Sequence, residues 1–350
     1  MTHVGPVRLA RSVCLSGLLL VLAGCGGGGT DSPSAADSAA VFQSSQPYRI
    51  VTTVGMVTDI VRTVAGDRAE VFGLMGPGVD PHLHSPSRDD VNRLLQADVV
   101  IYGGLNLEGK MTRVFEDMAA KGRVVFAITD GLPRDVLRSP PEFEGHFDPH
   151  VWMDVSLWSR CAEHVAQRLA ELDPPHAAGY AERAAALKQQ LKQLDEYART
   201  SLQSIPEQRR VLVTAHDAFG YFSTAYGIPS RSVQGLSTES EASVADINAL
   251  VKFISERGIS AVFIESSIPE DRIEAVLEGV RSRGGEVRIG GELYSDAMGP
   301  EGQYEGTYIG MIDHNVTTIT RALGGQAPTG GMNGKLRQAA GKESTGKPNP

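Results

Sequence analysis

The sequence predicts an α/β protein of two lobes, each a mostly parallel sheet with flanking helices, bridged by one long rigid α-helix. Two observations in the 350-residue chain support this fold class. Apolar, β-branched runs alternate with segments of helical periodicity on both sides of the middle of the chain, a rhythm typical of parallel sheets. A helical segment of about 30 residues separates the two halves, which is longer than a crossover in one compact domain requires.

The first half of the chain alternates strands with helices. Apolar runs rich in β-branched residues predict strands, whereas apolar residues at helical spacing predict helices. The predicted strands cover 48–53, 70–74, 98–102 and 123–128, and the predicted helices cover 57–65, 88–96, 107–120 and 155–172. The stretch 129–149 contains four prolines and is predicted to be a loop.

The second half repeats this rhythm after a long connector. Its predicted strands cover 210–214, 230–234, 261–265 and 286–289, and its predicted helices cover 218–226, 244–257, 268–283 and 307–323. The connector, 174–204, has prolines only at its start and apolar residues near helical spacing. It is interpreted as a strut of roughly 45 Å between the lobes. A surface coiled-coil arm is the alternative, but the apolar stripe is too short to favour it.

These elements divide the chain into an N-terminal lobe over 47–173, the linking helix over 174–204 and a C-terminal lobe over 205–325. A Gly/Ser/Ala/Asp-rich stretch, 25–46, is predicted to be a flexible tether. The similar composition of 326–350 predicts a disordered tail.

The N-terminus has the features of a lipoprotein signal peptide. Arg8 and Arg11 precede a short apolar run that ends in Leu-Ala-Gly-Cys, which resembles a lipobox. Residues 1–24 are therefore predicted to be the signal, and Cys25 the lipid-modified first residue. An ordinary secretory signal or an anchor helix is the alternative, although the run is short for a bilayer span.

Charge and cysteine usage exclude some classes of protein. The net charge is −9, without the basic face that nucleic-acid binding requires. Of the three cysteines, Cys14 lies in the signal and Cys25 is the lipidation site, which leaves Cys161 and no intrachain disulfide. Cys161 lies in a helical pattern and is interpreted as a small buried hydrophobe.

The tripeptide Asp-Pro-His occurs twice, at 80–82 and 148–150. Proline fixes its own φ and keeps the preceding Asp extended, so each His is presented by a stiff backbone. A metal ligand benefits from this, because ordering a flexible side chain costs free energy. Turn chemistry alone is the alternative explanation of either copy.

Four side chains follow predicted strand ends, two in each lobe: His82, His150, His216 and Asp296. Ligands of open parallel sheets bind at the carboxyl ends of the strands, so we expect these four to meet between the lobes. Three imidazoles and a carboxylate suit zinc or manganese. Taken singly, His216 also fits a helix start, and Asp296 fits a turn or an N-cap.

Two further histidines lie near this predicted metal site in the sequence. His84 is interpreted as an outer-shell donor or a packing residue, and a role as a second ligand is the third possibility. His146 is interpreted as a solvated loop residue, with a weak auxiliary ligand as the alternative. The helical patterns around His164, His176 and His314 suggest no function for them.

Five stretches carry a resemblance to a known family: 78–111, 148–155 (DPHVWMDV), 213–228 (VTAHDAFGYFSTAYGI), 235–247 and 293–316. The chain resembles the zinc/manganese solute-binding lipoproteins of bacterial ABC importers, called TroA-like or ZnuA-like. The resemblance runs from 48 to 323. It implies two α/β lobes bridged by a long helix, with the metal ligands at His82, His150, His216 and Asp296.

The resemblance also implies a function. The protein is expected to be a monomeric, extracytoplasmic, membrane-anchored receptor that passes zinc or manganese, as transported cargo, to an ABC permease with its ATPase. Manganese-specific members often have Glu where this chain has His216, which favours zinc or both metals. The His-rich loop of dedicated zinc members is absent, and His84 replaces the family's usual aromatic residue.

The sequence leaves two other functions as alternatives. One is a zinc-dependent hydrolase that uses the same cleft, with Asp217 or Glu239 as general base. The other is an adhesin in which metal only stabilises the fold.

Overall fold

Four parallel strands form the sheet of the N-terminal lobe. They are β1 (Tyr48–Thr52), β2 (Ala69–Gly73), β3 (Val99–Tyr102) and β4 (Val124–Ala127), in the order β2-β1-β3-β4. The computed structural model describes residues 47–143 and 145–337. The predicted signal peptide, Cys25 and the predicted tether lie outside the described residues.

Helices flank this sheet: α1 (Gly55–Ala65), α2 (Arg88–Gln96), α3 (Thr112–Ala120) and α4 (Val155–Leu172). Side-chain caps mark two of the starts. Ser87 and Asp90 form a reciprocal capping box at α2, and Asp154 accepts hydrogen bonds from two backbone amides at the start of α4. Both helices begin and end where the sequence predicts.

The helix predicted over 107–120 begins later, at Thr112. The preceding loop has positive φ at Gly104 (88°), Leu105 (54°) and Asn106 (66°). Backbone in this left-handed region cannot belong to a right-handed helix, and the residues between it and α3 form a 3₁₀ turn over Gly109–Met111 in place of the first predicted α-helical turn.

The linking helix, α5, covers Ala177–Gln203 and follows a 3₁₀ turn at Pro174–His176. The two prolines of that turn lack amide donors, which suits a helix entrance. At a rise of about 1.5 Å per residue, α5 is roughly 40 Å long.

The C-terminal lobe contains two parallel strand pairs, β5 (Leu212–Thr214) with β6 (Ser230–Ser232) and β7 (Ala261–Glu265) with β8 (Arg288–Leu293). Strand β5 lies beside β7. The helices of this lobe are α6 (Gly220–Tyr226), α7 (Val244–Arg257), α8 (Asp271–Ser282) and α9 (Tyr308–Ala322). The predicted α/β fold class is confirmed.

Helix α5 contacts both lobes, because α1 and α4 of the N-terminal lobe and α6 and α9 of the C-terminal lobe pack against it. Its buried face includes Leu187, Leu191 and Leu194, which belong to the larger hydrophobic core. The helix therefore packs against both lobes and does not project from them as an arm.

Strand β8 runs four residues beyond the predicted end at 289. It contains Gly291, where φ is 152° and an added Cβ would lie 2.5 Å from Thr318 Cγ2 of α9. A glycine pair weakens the strand signal in the sequence, but here it lets β8 pass close beneath α9. Asp296 consequently lies three residues after the strand end.

The segment after α9 differs from the predicted disordered tail as far as residue 337. The backbone amide of Met332 donates to Asp313 (2.9 Å), that of Arg337 donates to Glu305 (3.1 Å), and Leu336 is buried. Residues 338–350 lie outside the described part of the chain. None of the helices in the described ranges combines the length and apolar character needed to cross a bilayer.

Candidate metal centre

His82, His150, His216 and Asp296 meet at one point between the two lobes. One ligand atom from each lies within 4.8 Å of the others. All four residues are buried, with His82 the most exposed at 4%. The carboxyl ends of the strands thus bring together residues spread over more than two hundred positions, as the sequence predicts.

The distances in this cluster match the spacing of ligands around one ion. Asp296 Oδ2 lies 3.2 Å from His216 Nε2 and 3.5 Å from His82 Nε2, and its Oδ1 lies 3.4 Å from His150 Nε2. The Nε2 atoms of His82 and His150 are 3.4 Å apart. Ligands held tetrahedrally at zinc bond lengths are separated by about 3.3–3.6 Å.

The cluster also contains polar atoms that no protein group satisfies. Within the described residues, both carboxylate oxygens of Asp296 and Nε2 of His216 are buried without a hydrogen bond of normal geometry. Unpaired buried polar atoms are costly. A metal ion would satisfy them.

Both Asp-Pro-His tripeptides position their histidine in the same way. Asp80 Oδ1 accepts a hydrogen bond from the backbone amide of His82 (2.8 Å), and Asp148 Oδ1 accepts one from His150 (3.0 Å). These are Asx turns, which the rigid proline between donor and acceptor favours. Asp148 Oδ1 also lies 2.8 Å from His150 Nδ1, which turns Nε2 of that ring toward the cluster.

Each of these aspartates is tied to the C-terminal lobe. Thr238 Oγ1 donates to Asp80 Oδ2 (2.6 Å). Arg138 Nε lies 3.3 Å from Asp148 Oδ2, and Arg138 Nη1 donates to Thr224 Oγ1 of α6 (2.8 Å). The backbone that presents His82 and His150 is therefore braced against the opposite lobe.

His216 is held by a buried glutamate, Glu265, at the end of β7. Glu265 Oε1 accepts hydrogen bonds from the amides of Ala215 (2.7 Å) and His216 (2.8 Å), and Oε2 lies 2.7 Å from His216 Nδ1. Burial alone would lower the pKa of His216, but Glu265 and Asp296 outweigh it and hold that pKa well above its usual value.

The pKa of Asp296 shifts in the opposite direction. Burial would raise it, but His216 and His150 outweigh burial and hold the pKa well below its ordinary value. The carboxylate is therefore ionised and available to a cation. A metal ion must compete with a proton for the imidazole of His216.

His84 and His146 have other neighbours than the four clustered residues. His84 Nε2 lies 3.6 Å from Asp90 Oδ2, in the capping box of α2. His146 is exposed and its ring packs on Phe143, 5.2 Å between centroids. Neither belongs to the cluster of mutually close ligand atoms that the structure describes.

A cavity of about 20 Å³ adjoins His82 and is lined by both lobes, including Asn106, Phe143, Ser237 and Glu239. Its volume suits roughly one water molecule. This cavity is the mouth of the site.

Sequence reasoning did not find Glu265, Arg138 or Thr238. Glu265 carries the same signal as His216, since both lie at the carboxyl end of a parallel strand. Arg138 and Thr238 lie in loops, and their partners are 10 and 158 positions away. No local pattern in the sequence identifies such pairings.

Comparison with known proteins shows the family of this chain. Residues 50–322 match the family model of ZnuA, described as zinc-uptake complex component A, periplasmic. The chain belongs to the ZnuA family. The zinc-binding protein TroA of Treponema pallidum is 49% identical over 274 residues, which cover 78% of this chain and 88% of that protein. The manganese-binding lipoprotein MntA of Bacillus subtilis is 42% identical, covering 86% and 95%.

A solved structure gives the same fold for this ZnuA-family chain. The periplasmic zinc-binding protein TroA from Treponema pallidum superimposes with a TM-score of 0.77 at 48% identity, covering 79% of this chain and 99% of that one. The predicted family, and with it the two-lobed architecture with a long helix, is confirmed.

Proposed function

We propose that this ZnuA-family protein is an extracytoplasmic receptor that captures one divalent transition metal and delivers it to an ABC permease with its ATPase. Its ligands are Nε2 of His82, His150 and His216 together with the carboxylate of Asp296. The observation that carries the proposal is the convergence of these four buried side chains from two lobes. The metal is cargo, and no bond of a substrate is changed.

The cargo is zinc or manganese. One relative is named for zinc and another for manganese, and a site of three nitrogens and a carboxylate accepts both ions. The order of divalent-metal affinities favours zinc at such a site. We therefore expect both metals to bind, zinc more tightly.

The burial of the site supports a receptor over a hydrolase. A catalytic zinc keeps one coordination position open to water, whereas four protein ligands would fill a tetrahedral site, and these four residues are at most 4% exposed. Of the two carboxylates considered as bases, Glu239 is exposed on the loop at the mouth. Asp217 is half-buried, and its pKa is raised to about 6, chiefly by burial and then by Asp148.

The remaining proposals concern anchoring and organisation. Cys25 carries the lipid, 25–46 is the tether, and the lobes cover 47–173 and 205–325 with the linking helix at 174–204. MntA is named a lipoprotein, which supports the anchor. The protein acts as a monomer that presents its metal to the permease.

Metal titration of the stripped protein tests the proposed function. We expect one zinc ion per chain and a loss in His216→Ala larger than the roughly 10- to 100-fold that an outer contact contributes. His176→Ala is the matched control, because its side chain is 44% exposed and contacts Asp173, outside the cluster. Wild-type affinity in His216→Ala would contradict the ligand assignment, provided that circular dichroism shows both variants folded.

A further inference from the structure

The two carboxylate oxygens of Glu265 have different partners. Oxygen Oε1 accepts the backbone amides of Ala215 and His216, which follow β5, and Oε2 lies 2.7 Å from the Nδ1 atom of the His216 ring. The Glu265 side chain is fully buried. Glu265 thus holds the backbone at His216 by hydrogen bonds and contacts the ring at ion-pair distance, with a geometry outside that of a regular hydrogen bond.

The electrostatic environment of Glu265 differs from that of Asp148, its counterpart at His150. Asp148 shares its charge between His150 and the guanidinium of Arg138. In the described part of the chain, the ion pair formed by Glu265 is with His216 alone. The negative charge of Glu265 therefore acts on one imidazole, and the two histidines are not equivalent donors.

A purely structural role would look different, and the N-terminal lobe contains an example. Glu108 is buried and accepts hydrogen bonds from the amides of Gly103 (2.7 Å) and Gly104 (3.3 Å) and from Thr53 Oγ1 (2.5 Å). Its Oε1 accepts from a backbone amide and a hydroxyl, and its Oε2 accepts from a backbone amide. Glu265 uses one oxygen for the same purpose and points the other at an imidazole.

We infer that Glu265 is a positioning residue of the metal centre, which holds His216 with Nδ1 protonated and Nε2 directed at the metal and strengthens it as a donor. This inference rests on the proposed function, because it gives Glu265 a role only if His216 binds metal. Carboxylates that accept the second N–H of a metal-bound imidazole fix its tautomer and orientation.

Glu265→Gln tests the inference directly. The amide oxygen can still accept the two backbone hydrogen bonds, but the amide NH₂ now faces Nδ1 and favours the tautomer that carries its proton on Nε2. That tautomer cannot bind metal through Nε2. We expect zinc affinity to fall about 10- to 100-fold. Glu108→Gln is the matched control, expected to lower thermal stability and to leave zinc affinity within about twofold of wild type.

Two further measurements separate positioning from structure. In a double-mutant cycle, Glu265→Gln should have no further effect on metal affinity once His216 is Ala, because the two residues act as a unit. The visible spectrum of bound Co²⁺ should change in Glu265→Gln and not in Glu108→Gln. If Glu265→Gln does not fold, Glu265→Asp replaces it, with a weaker affinity and an altered Co²⁺ spectrum expected because the shorter carboxylate cannot reach Nδ1.

The outcomes separate this inference from the proposed function. If wild-type protein binds no metal, the proposed function fails and the inference fails with it. If wild type binds one zinc while Glu265→Gln, or Glu265→Asp in its place, keeps wild-type affinity and spectrum, only the role of Glu265 is overturned. Additive effects of Glu265→Gln and His216→Ala would likewise overturn it.

Discussion

At the residue scale, a proton and a metal ion compete for the imidazole of His216. His216 has a raised pKa in the metal-free protein, so both nitrogens of its ring are protonated. The proton on Nε2 must leave when a metal binds there. Lowering the pH keeps that proton in place, and raising the pH above the shifted pKa removes it. Metal affinity should therefore fall with acidity, by about tenfold per pH unit for each proton displaced.

Calorimetry checks this prediction. Zinc binding measured between about pH 8 and about pH 5.5, in buffers of different ionisation enthalpy, gives the number of protons released. At least one proton should be released per zinc at neutral pH. An affinity that stays constant over this range would contradict the assignment of imidazole ligands.

The four central residues could be predicted because a simple rule places them: each follows a strand whose carboxyl end faces the cleft. The groups that orient them could not. Arg138 reaches Asp148 only because the Pro-rich loop folds back, and Thr238 reaches Asp80 only because the two lobes close on each other. Such partners are set by tertiary packing, which one sequence does not encode locally.

At the element scale, one hydrogen bond joins the ligand loop of the first lobe to a loop of the second. Thr238 donates to Asp80 Oδ2 while Asp80 Oδ1 holds the amide of His82. Movement of the loop around Thr238 away from the mouth must break this bond. A hydrogen bond to a charged group contributes about 1.5–3 kcal/mol, so its loss should ease opening.

Thr238→Val, which keeps the shape and removes the hydroxyl, should therefore release metal about tenfold faster. The measurement is the rate at which a chelator extracts zinc in stopped flow. Ser237→Ala is the control, because the Ser237 hydroxyl accepts a hydrogen bond within its own loop, from the amide of Glu239. Equal release rates in wild type and Thr238→Val would mean that this bond does not limit opening.

Elements with strong local signals were predicted to their boundaries, as α2, α4 and α7 illustrate. Each has a capping Ser or Asp directly before its first apolar repeat. The predictions failed where backbone geometry is unusual. Leu105 and Asn106 adopt left-handed conformations, and β8 continues through glycines that only close packing against α9 explains.

At the scale of the whole molecule, two features couple the lobes. Helix α5 packs against helices of both, and the candidate ligands come two from each lobe. A metal that binds only the folded arrangement stabilises it by mass action, by about 2.7 kcal/mol when its free concentration is 100 times Kd. Because the ligands of both lobes must be in place, this stabilisation belongs to the pair of lobes together.

Thermal unfolding should therefore be a single transition whose midpoint rises with zinc concentration, by roughly 5 °C at that excess. Differential scanning calorimetry with a matched set of zinc concentrations measures it, and His216→Ala, which lacks a ligand, should show little or no rise. Two separate transitions, with zinc moving only one of them, would show that the metal binds within a single lobe. In that case α5 would act only as a connector, and the centre would not be shared between the lobes.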